Sequence, residues 1–344
     1  MPNARRRRPQ IFEAEVLAGL APVALAEARD VGLRAEPLRE DAIHLLAKGA
    51  LRLVKGLRTV KAVYRLDHFD IPRPKAMLGD QHFRRLVATV GAVTREDAFQ
   101  SFRFGAAGRE SKVMQRLADA LQEATGLRFD PDDGELLLRF RPSPEGSGWE
   151  VLTRVTPRPL SARSWRVCNM PGGLNASLAA AMNRLSGTGD RDRYLNAMCG
   201  SGTLLIERAE MAPASQLTGC DLDREAVACA RCNLQAAGMV DRVRLVQEDA
   251  TRLSLPEGGI DVITADLPWG DAVGSHQSNL DLYPAFLEEM RRVAAPAARM
   301  VLLTHDIKLF EGVLAAQRSW RVVDVRRVYH GGHYPRIYLL RPEA

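Results

Sequence analysis

Asn196-Ala197-Met198-Cys199-Gly200-Ser201-Gly202-Thr203 is the stretch on which the fold turns. Arg193 to Ala197 has the content of a short buried strand, two glycines follow, and a helical pattern begins at Leu204. Gly200 and Gly202 supply a tight turn and let a ligand approach the main chain closely. An ordinary strand-to-helix turn looks the same, so the neighbouring segments decide. Gln216 to Cys220 is a strand and a helix follows through Ala237; Val243 to Val246, Ile260 to Ala265 and Met300 to Thr304 are further strands, the last preceded by a helix from Tyr283 to Ala294. Such alternation predicts an α/β fold with a parallel sheet covered by helices on both faces. Trp320 to Tyr329 and Tyr334 to Leu340 flank His330, Gly331, Gly332 and His333, so the sheet is expected to end in an antiparallel hairpin.

A doubly wound sheet takes its ligand outside the carboxyl ends of its strands. Asp221 ends the strand after the glycine turn, where a carboxylate accepts from the ribose hydroxyls of an adenosine-bearing cofactor. Asp249 ends the next strand and is placed to accept from an adenine amino group. Each acid alone could be a surface or capping residue; acids in order at successive strand ends make a consistent set. A nicotinamide dinucleotide and S-adenosyl-L-methionine both suit these features. The dinucleotide needs a third glycine for its pyrophosphate, and Thr203-Leu204-Leu205-Ile206-Glu207 has none. The closing hairpin also favours S-adenosylmethionine. The cofactor contacts expected are Asn196, Met198, Cys199, Gly200, Ser201, Gly202, Thr203, Asp221, Leu222, Asp249, Ala250 and Asp266.

Asp266-Leu267-Pro268-Trp269-Gly270 follows the strand Ile260 to Ala265 and carries the chemistry. A planar exocyclic amine is a poor nucleophile because its lone pair is delocalised into the ring. A carboxylate and two main-chain carbonyls around the amino hydrogens localise that lone pair and hold the nitrogen in line with a methyl donor. Asp266 and the carbonyls of Leu267 and Pro268 are expected in that role, with Trp269 as a stacking face for an extruded base. The competing explanation is a proline turn with a buried tryptophan.

The front half reads differently. Strands at Ile11 to Leu17 and Thr59 to Leu66 and a helix at Ala21 to Arg29 precede Pro72 and Pro74, which mark a linker. Helices near Gln81 to Val90 and at Glu110 to Ala124, with strands at Ala98 to Phe104, Glu135 to Phe140 and Trp149 to Val155, make a second small α+β unit. The expected domains are therefore 1–74, 75–158 and 159–344.

Composition agrees with a globular protein of 344 residues, 46% hydrophobic and 26% charged. The formal charge is +6, and the whole surplus lies in front: Met1 to Leu160 carries 27 basic and 21 acidic residues, the remainder 21 of each. That favours an acidic partner for the front half. Arg5 to Arg8 is most simply a solvated tail, and Arg84, Arg85, Arg103 and Arg109 are candidate phosphate contacts whose default is a solvated face. Five cysteines, an odd number without a secretory leader, argue for a reducing cytoplasm. No apolar run approaches the ~20 residues of a membrane span. Cys229 and Cys232 form a CxxC without a second pair, so no metal site is expected. His305 is expected to be a hydrogen-bonded structural histidine.

Asn-Ala-Met-Cys-Gly-Ser-Gly-Thr with Glu207, Gly-Cys-Asp-Leu-Asp at Gly219 to Asp223, the Asn233 region, Asp-Leu-Pro-Trp-Gly and the terminal Gly-Gly before Ile337-Tyr338-Leu339-Leu340 together resemble the THUMP-containing RNA guanine-N2 methyltransferases. In front, Ala18-Gly19-Leu20 resembles that family's Pro-Gly-Leu-Glu turn, and Arg158-Pro159-Leu160 through Trp165-Arg166 its exit from the THUMP domain. The resemblance covers nearly the whole chain and is strongest in the catalytic half. It implies a ferredoxin-like domain over 1–74 and a THUMP-like RNA-binding domain over 75–158. A Rossmann-like class I methyltransferase domain over 159–344, with a seven-stranded sheet, would then act on a guanosine in or near the tRNA acceptor stem. A cytoplasmic monomer without membrane contact is expected. Asn196-Ala197 stands where the family usually has Asp-Pro, and Leu267 replaces a second proline. The alternatives are guanine N2 or adenine N6 in ribosomal RNA, an inactive RNA-binding protein of the same fold, and a small-molecule methyltransferase.

Overall fold

A computed structural model describes residues 10–47, 51–144, 146–269 and 276–343. Arg5 to Arg8 and Gly270 lie outside the described residues. The chain divides into two compact units, one of Met1–Val16 with Ala24–Leu160, the other of Leu17–Val23 with Ser161–Ala344.

In the first unit, eight strands form one mixed sheet in the spatial order Arg34–Arg39, Ala42–Ala47, Gln10–Glu15, Ala62–Phe69, Trp149–Arg154, Leu136–Pro142, Ser101–Gly105, Arg128–Phe129. Helices Asp80–Thr94 and Lys112–Thr125 supply Leu86, Val90, Leu117 and Leu121 to a core that also holds Phe102, Phe104 and Phe140. The helix Lys112–Thr125 is bounded as its sequence dictates. Ser111 accepts the Met114 N–H at its start, and Gly126 closes it at φ +74. The boundary expected near residue 74 falls inside this unit: Ala62–Phe69 and Trp149–Arg154, from either side of it, pair antiparallel from Tyr64 opposite Arg154 to Phe69 opposite Trp149. The four arginines considered for phosphate contact have partners here. Arg84 pairs with Asp80, Arg85 lies 3.8 Å from Asp67, and Arg103 and Arg109 donate to the carbonyls of Asp132 and Pro131.

The second unit is the α/β sheet that the alternation predicts. Seven strands run in the order Arg244–Gln247, Gln216–Asp221, Arg193–Ala197, Ile260–Asp266, Ala294–Thr304, Arg336–Pro342, Trp320–Arg327. The first five are mutually parallel; the last two form the antiparallel closing hairpin. The chain order reverses beside Arg193–Ala197, whose neighbours are the strands at Gln216 and Ile260. Its carboxyl end is therefore the switch point where such sheets place ligands. Leu195, Ala197, Ile263, Ala265 and Leu302 are buried in one core on this sheet, while Tyr194, Leu205, Ile206 and Val262 belong to another. The alternating membership follows from side chains pointing to opposite faces along a strand.

The short segment Leu17–Val23 belongs to this unit. Leu17, Leu20 and Val23 pack with Leu178, Met182, Val301 and Val328. Gly19 holds φ +93, and a Cβ there would collide with the Arg327 carbonyl oxygen, so the turn requires glycine. No helix among the described residues is long and apolar enough to cross a membrane.

Candidate active site

The glycine turn is strained in a way that opens it to a ligand. Met198 is the non-glycine residue with positive φ among the described residues, at 55°, and Gly200 follows at 51° and Gly202 at 79°. Backbone conformations of this kind cost about 1–3 kcal/mol at a bulky residue and persist where the surroundings fix them. Here Cys199 N–H is tied to Cys220 O at 2.8 Å and Gly200 N–H to Asp221 Oδ2 at 2.8 Å. A Cβ on Gly200 would meet nothing within 4 Å, whereas one on Gly202 would sit 3.2 Å from Ala230 Cβ. Gly200 thus leaves space for a ligand and Gly202 packs the helix Thr203–Met211 against Arg224–Ala236.

A cavity of about 820 Å³ lies over these strand ends, within the range that holds small molecules and cofactors. Met198, Cys199, Gly200, Ser201 and Thr203 line it from the first turn, Asp221 and Leu222 from the second strand end, Asp249 and Ala250 from the third. Asp221 Oδ1 accepts the Asp223 N–H at 3.0 Å. Burial raises the Asp221 carboxyl above its ordinary range, against the opposing pull of the Gly200 and Asp223 N–H groups. Asp249 Oδ1 accepts from the Thr251 N–H and hydroxyl at 2.8 and 2.7 Å. Both acids are therefore oriented by local bonds and keep lone pairs for a polar ligand.

Asp266, Leu267, Pro268 and Trp269 form the opposite wall. Burial pushes the Asp266 carboxyl up to about 7, and the Trp269 indole N–H, donating to Oδ1 at 3.0 Å, partly offsets that rise. Trp269 sits among three imidazoles, with ring centroids 5.5 Å from His305, 6.1 Å from His330 and 6.0 Å from His333. His305 makes ring contacts, 4.6 Å from His333, and among the described residues its side chain has no hydrogen bond of the kind expected of it. Burial also holds His330 below the ordinary imidazole range, aided by His333.

Three sequence expectations change at this wall and at the turn. The Pro268 carbonyl accepts from Tyr283 Oη at 2.6 Å and Asn279 Nδ2 at 3.0 Å. Both of its lone pairs are thus engaged, so it cannot also grip a substrate amine in this arrangement. The Leu267 carbonyl has no donor among the described residues, while its N–H is fixed to Leu303 O at 2.9 Å. Asn196 is fully buried and does not line the cavity: in register with Thr264, it donates to Thr264 O at 3.1 Å, and its Oδ1 has no partner among the described residues. Gly202 also stands behind the lining. The third change concerns the cysteines. Cys168 and Cys229 form a disulfide, which splits the CxxC and leaves Cys232 exposed. Among the described residues no group of three or more His, Cys, Asp or Glu could hold a metal ion.

A strap of residues 163–174, of which the sequence singled out the first part only as far as Trp165-Arg166, completes the cavity with Met170, Pro171, Gly172, Gly173 and Leu174. Arg163 pairs with buried Glu207 at 2.8 Å. Arg166 donates to Leu174 O at 2.7 Å and Thr203 Oγ1 at 2.9 Å. Asn233 binds Val167 N–H, Cys168 N–H and Cys168 O, and donates to Ser201 O at 2.9 Å. This one amide joins the strap to the glycine turn, and the disulfide lies beside it.

A glycine turn, ordered acids at successive strand ends and a desolvated Asp-Leu-Pro-Trp corner on a sheet closed by an antiparallel hairpin define a class I methyltransferase fold. Residues 163–336 match the UPF0020 family, described as RMKL-like, methyltransferase domain, and the chain belongs to that family. It is 35% identical over 186 residues to the tRNA (guanine(6)-N(2))-methyltransferase THUMP3 of Homo sapiens, covering 49% of this chain and 36% of the relative. It is 31% identical over 233 residues to the tRNA (guanine(6)-N2)-methyltransferase of Thermus thermophilus, covering 67% of each. The crystal structure of TrmN from Thermus thermophilus superposes with a TM-score of 0.76 at 25% identity, over 97% of this chain and 100% of that one. The chain thus spans about a third of the human relative's length.

Proposed function

We propose that this chain transfers a methyl group from S-adenosyl-L-methionine to the N2 amine of a guanosine in tRNA. The observation that carries the reading is the Asp266 carboxyl, part-buried at a strand end on the wall of a cavity that two further acids also line. The names of the human and Thermus relatives support guanine N2 in tRNA as the target. The 27 to 21 excess of basic over acidic residues before Ser161 supports contact with RNA by the ferredoxin-like and THUMP-like parts.

The lining fits the cofactor. Gly200, which offers open space where a side chain would stand, and the carboxylates of Asp221 and Asp249 suit an adenosine. The buried Oδ1 of Asn196, without a partner among the described residues, lies behind this lining and brings no charge. When bound, S-adenosylmethionine supplies an electrophilic methyl. Asp266 and the Leu267 carbonyl accept the two amino hydrogens of the guanine, which draws the lone pair onto N2 and fixes its direction. Tyr283 and Asn279 hold the loop still through the Pro268 carbonyl. Ionised, Asp266 accepts on both oxygens and draws the amino hydrogens more strongly than the neutral acid does, and a pKa near 7 allows it to release the proton within the neutral range. Trp269 leaves Asp266 Oδ1 when the base enters and turns a ring face to it.

Incubation of the full-length protein with labelled S-adenosylmethionine and an unmodified tRNA transcript, followed by nucleoside mass spectrometry, tests this directly. N2-methylguanosine is expected. A methyl group on adenine N6, or a transcript that takes up no label, would refute the substrate assignment.

A further inference from the structure

We propose that the closing hairpin carries a second nucleotide site: Tyr329 and Tyr334, with Arg327, stack a base that flanks the methylated guanosine, on the face of the hairpin turned away from the cavity. This rests on the RNA reading above.

The register fixes the geometry. Arg327 stands opposite Arg336. Val328 N–H donates to Pro335 O at 3.0 Å, and His330 and His333 exchange two main-chain bonds of 3.0 Å each. The loop is Gly331-Gly332 at φ 61° and 86°, the type I′ turn that a tight hairpin requires. Tyr329 and Tyr334 therefore face each other as a non-hydrogen-bonded pair, the position where cross-strand side chains approach most closely. Side chains alternate across the ribbon. Val328, His330, His333 and Pro335 share one face, and Arg327, Tyr329, Tyr334 and Arg336 the other.

The first face serves the cavity: Val328 is buried, and His330 and His333 line the cavity beside Trp269. The second is open. Tyr329 is 43% and Tyr334 46% exposed, with ring centroids 5.1 Å apart. The Arg327 guanidinium lies 3.9 Å over the Tyr334 ring and has no carboxylate partner among the described residues. Single exposed tyrosines on an edge strand are ordinary. Two tyrosines packed on each other with a free cation above one of them make a surface with both elements of single-strand recognition, an aromatic platform and a charge for the phosphate. The cation favours a polyanion over an apolar protein surface. The platform is one residue, about 3.3 Å of strand, from the imidazoles that line the target cavity. The tip between them carries no side chain, and nothing lies within 4 Å of a Cβ built on Gly331 or Gly332. A nucleic-acid backbone can therefore cross the turn, with the target base on one side and its neighbour on the other.

The test uses the full-length protein and three double variants at Tyr329 and Tyr334: both to Ala, both to Phe, and both to Trp. Binding of an unmodified tRNA transcript is read by fluorescence anisotropy, methyl transfer under steady-state conditions, and S-adenosylmethionine affinity by calorimetry. The Ala pair should bind RNA on the order of 10- to 100-fold more weakly, with the loss in KM for RNA and the cofactor affinity unchanged. Phe and Trp should restore binding to within about threefold, because stacking needs the ring and not the hydroxyl. Arg327→Gln should weaken binding and lower the salt slope by about one. Equal RNA affinity in the Ala pair and the wild type overturns the proposal, as does a Phe pair as impaired as the Ala pair. Should the wild type bind RNA but form no N2-methylguanosine, the catalytic reading fails while the affinities still judge the platform.

Discussion

Replacing Asp266 by Asn removes the titrating proton while preserving the shape and the hydrogen bond from Trp269. Burial moves this carboxyl from an ordinary 3.8 to about 7. At ~1.4 kcal/mol per pKa unit, the ionised acid costs the folded state about 4 kcal/mol. The sign follows from proton binding. The folded protein holds this proton more tightly than the unfolded chain, so the wild type loses stability as pH rises from about 4 to about 7 and loses no more above that. The amide of the variant does not titrate. The stability difference between Asp266→Asn and the wild type should therefore move in favour of the variant by roughly 2–3 kcal/mol between pH 5 and pH 8. Urea unfolding of both proteins at four pH values across that range measures it. A difference that stays flat with pH would show that the carboxyl is not desolvated in the folded state, and the argument for its chemistry would lose its electrostatic basis. Methyl transfer by the wild type should follow the opposite course and rise through about pH 7, since the carboxylate polarises the amine more strongly than the neutral acid.

Other outcomes follow from named contacts. Tyr283→Phe removes one of two donors to the Pro268 carbonyl; a loss of about 1 kcal/mol in stability and a fall in kcat with unchanged cofactor affinity are expected from unfolding and steady-state assays. Asn233→Ala strands two N–H groups and two carbonyls that join the strap to the glycine turn. At about 1–3 kcal/mol per buried unsatisfied group, calorimetry should find cofactor binding weakened at least tenfold. Gly19→Ala places a Cβ against the Arg327 carbonyl at φ +93, and urea unfolding should show more than about 2 kcal/mol of destabilisation.

The parts of the molecule that sequence could show are those whose causes are local. Gly200 and Gly202 stand where the backbone needs positive φ, and Asp221, Asp249 and Asp266 stand at strand ends that periodicity alone locates. Gly331-Gly332 specifies its turn by itself. What stayed hidden depends on contacts distant in the chain. Asn233 meets Cys168 across 65 residues, and Tyr283 reaches Pro268 across 15; neither shows a local pattern. The strap at 163–174 is irregular, so no period marks it. Pro284 stands inside the helix His276–Val293, and its usual meaning as a helix boundary hid that helix's first turns, including Asn279. Asn196 misled for a different reason: its position at a strand end suggested a ligand contact, but the parallel neighbour carrying Thr264 takes its amide. Cys168 and Cys229 are 61 residues apart, and only the fold brings them together.

The claim at the centre is that the Asp266 carboxylate activates the acceptor amine. The most direct measurement is single-turnover methyl transfer to tRNA by Asp266→Ala, alongside its affinity for S-adenosylmethionine. A loss of transfer by several orders of magnitude with cofactor affinity within about threefold of wild type is expected; transfer at the wild-type rate would contradict the account.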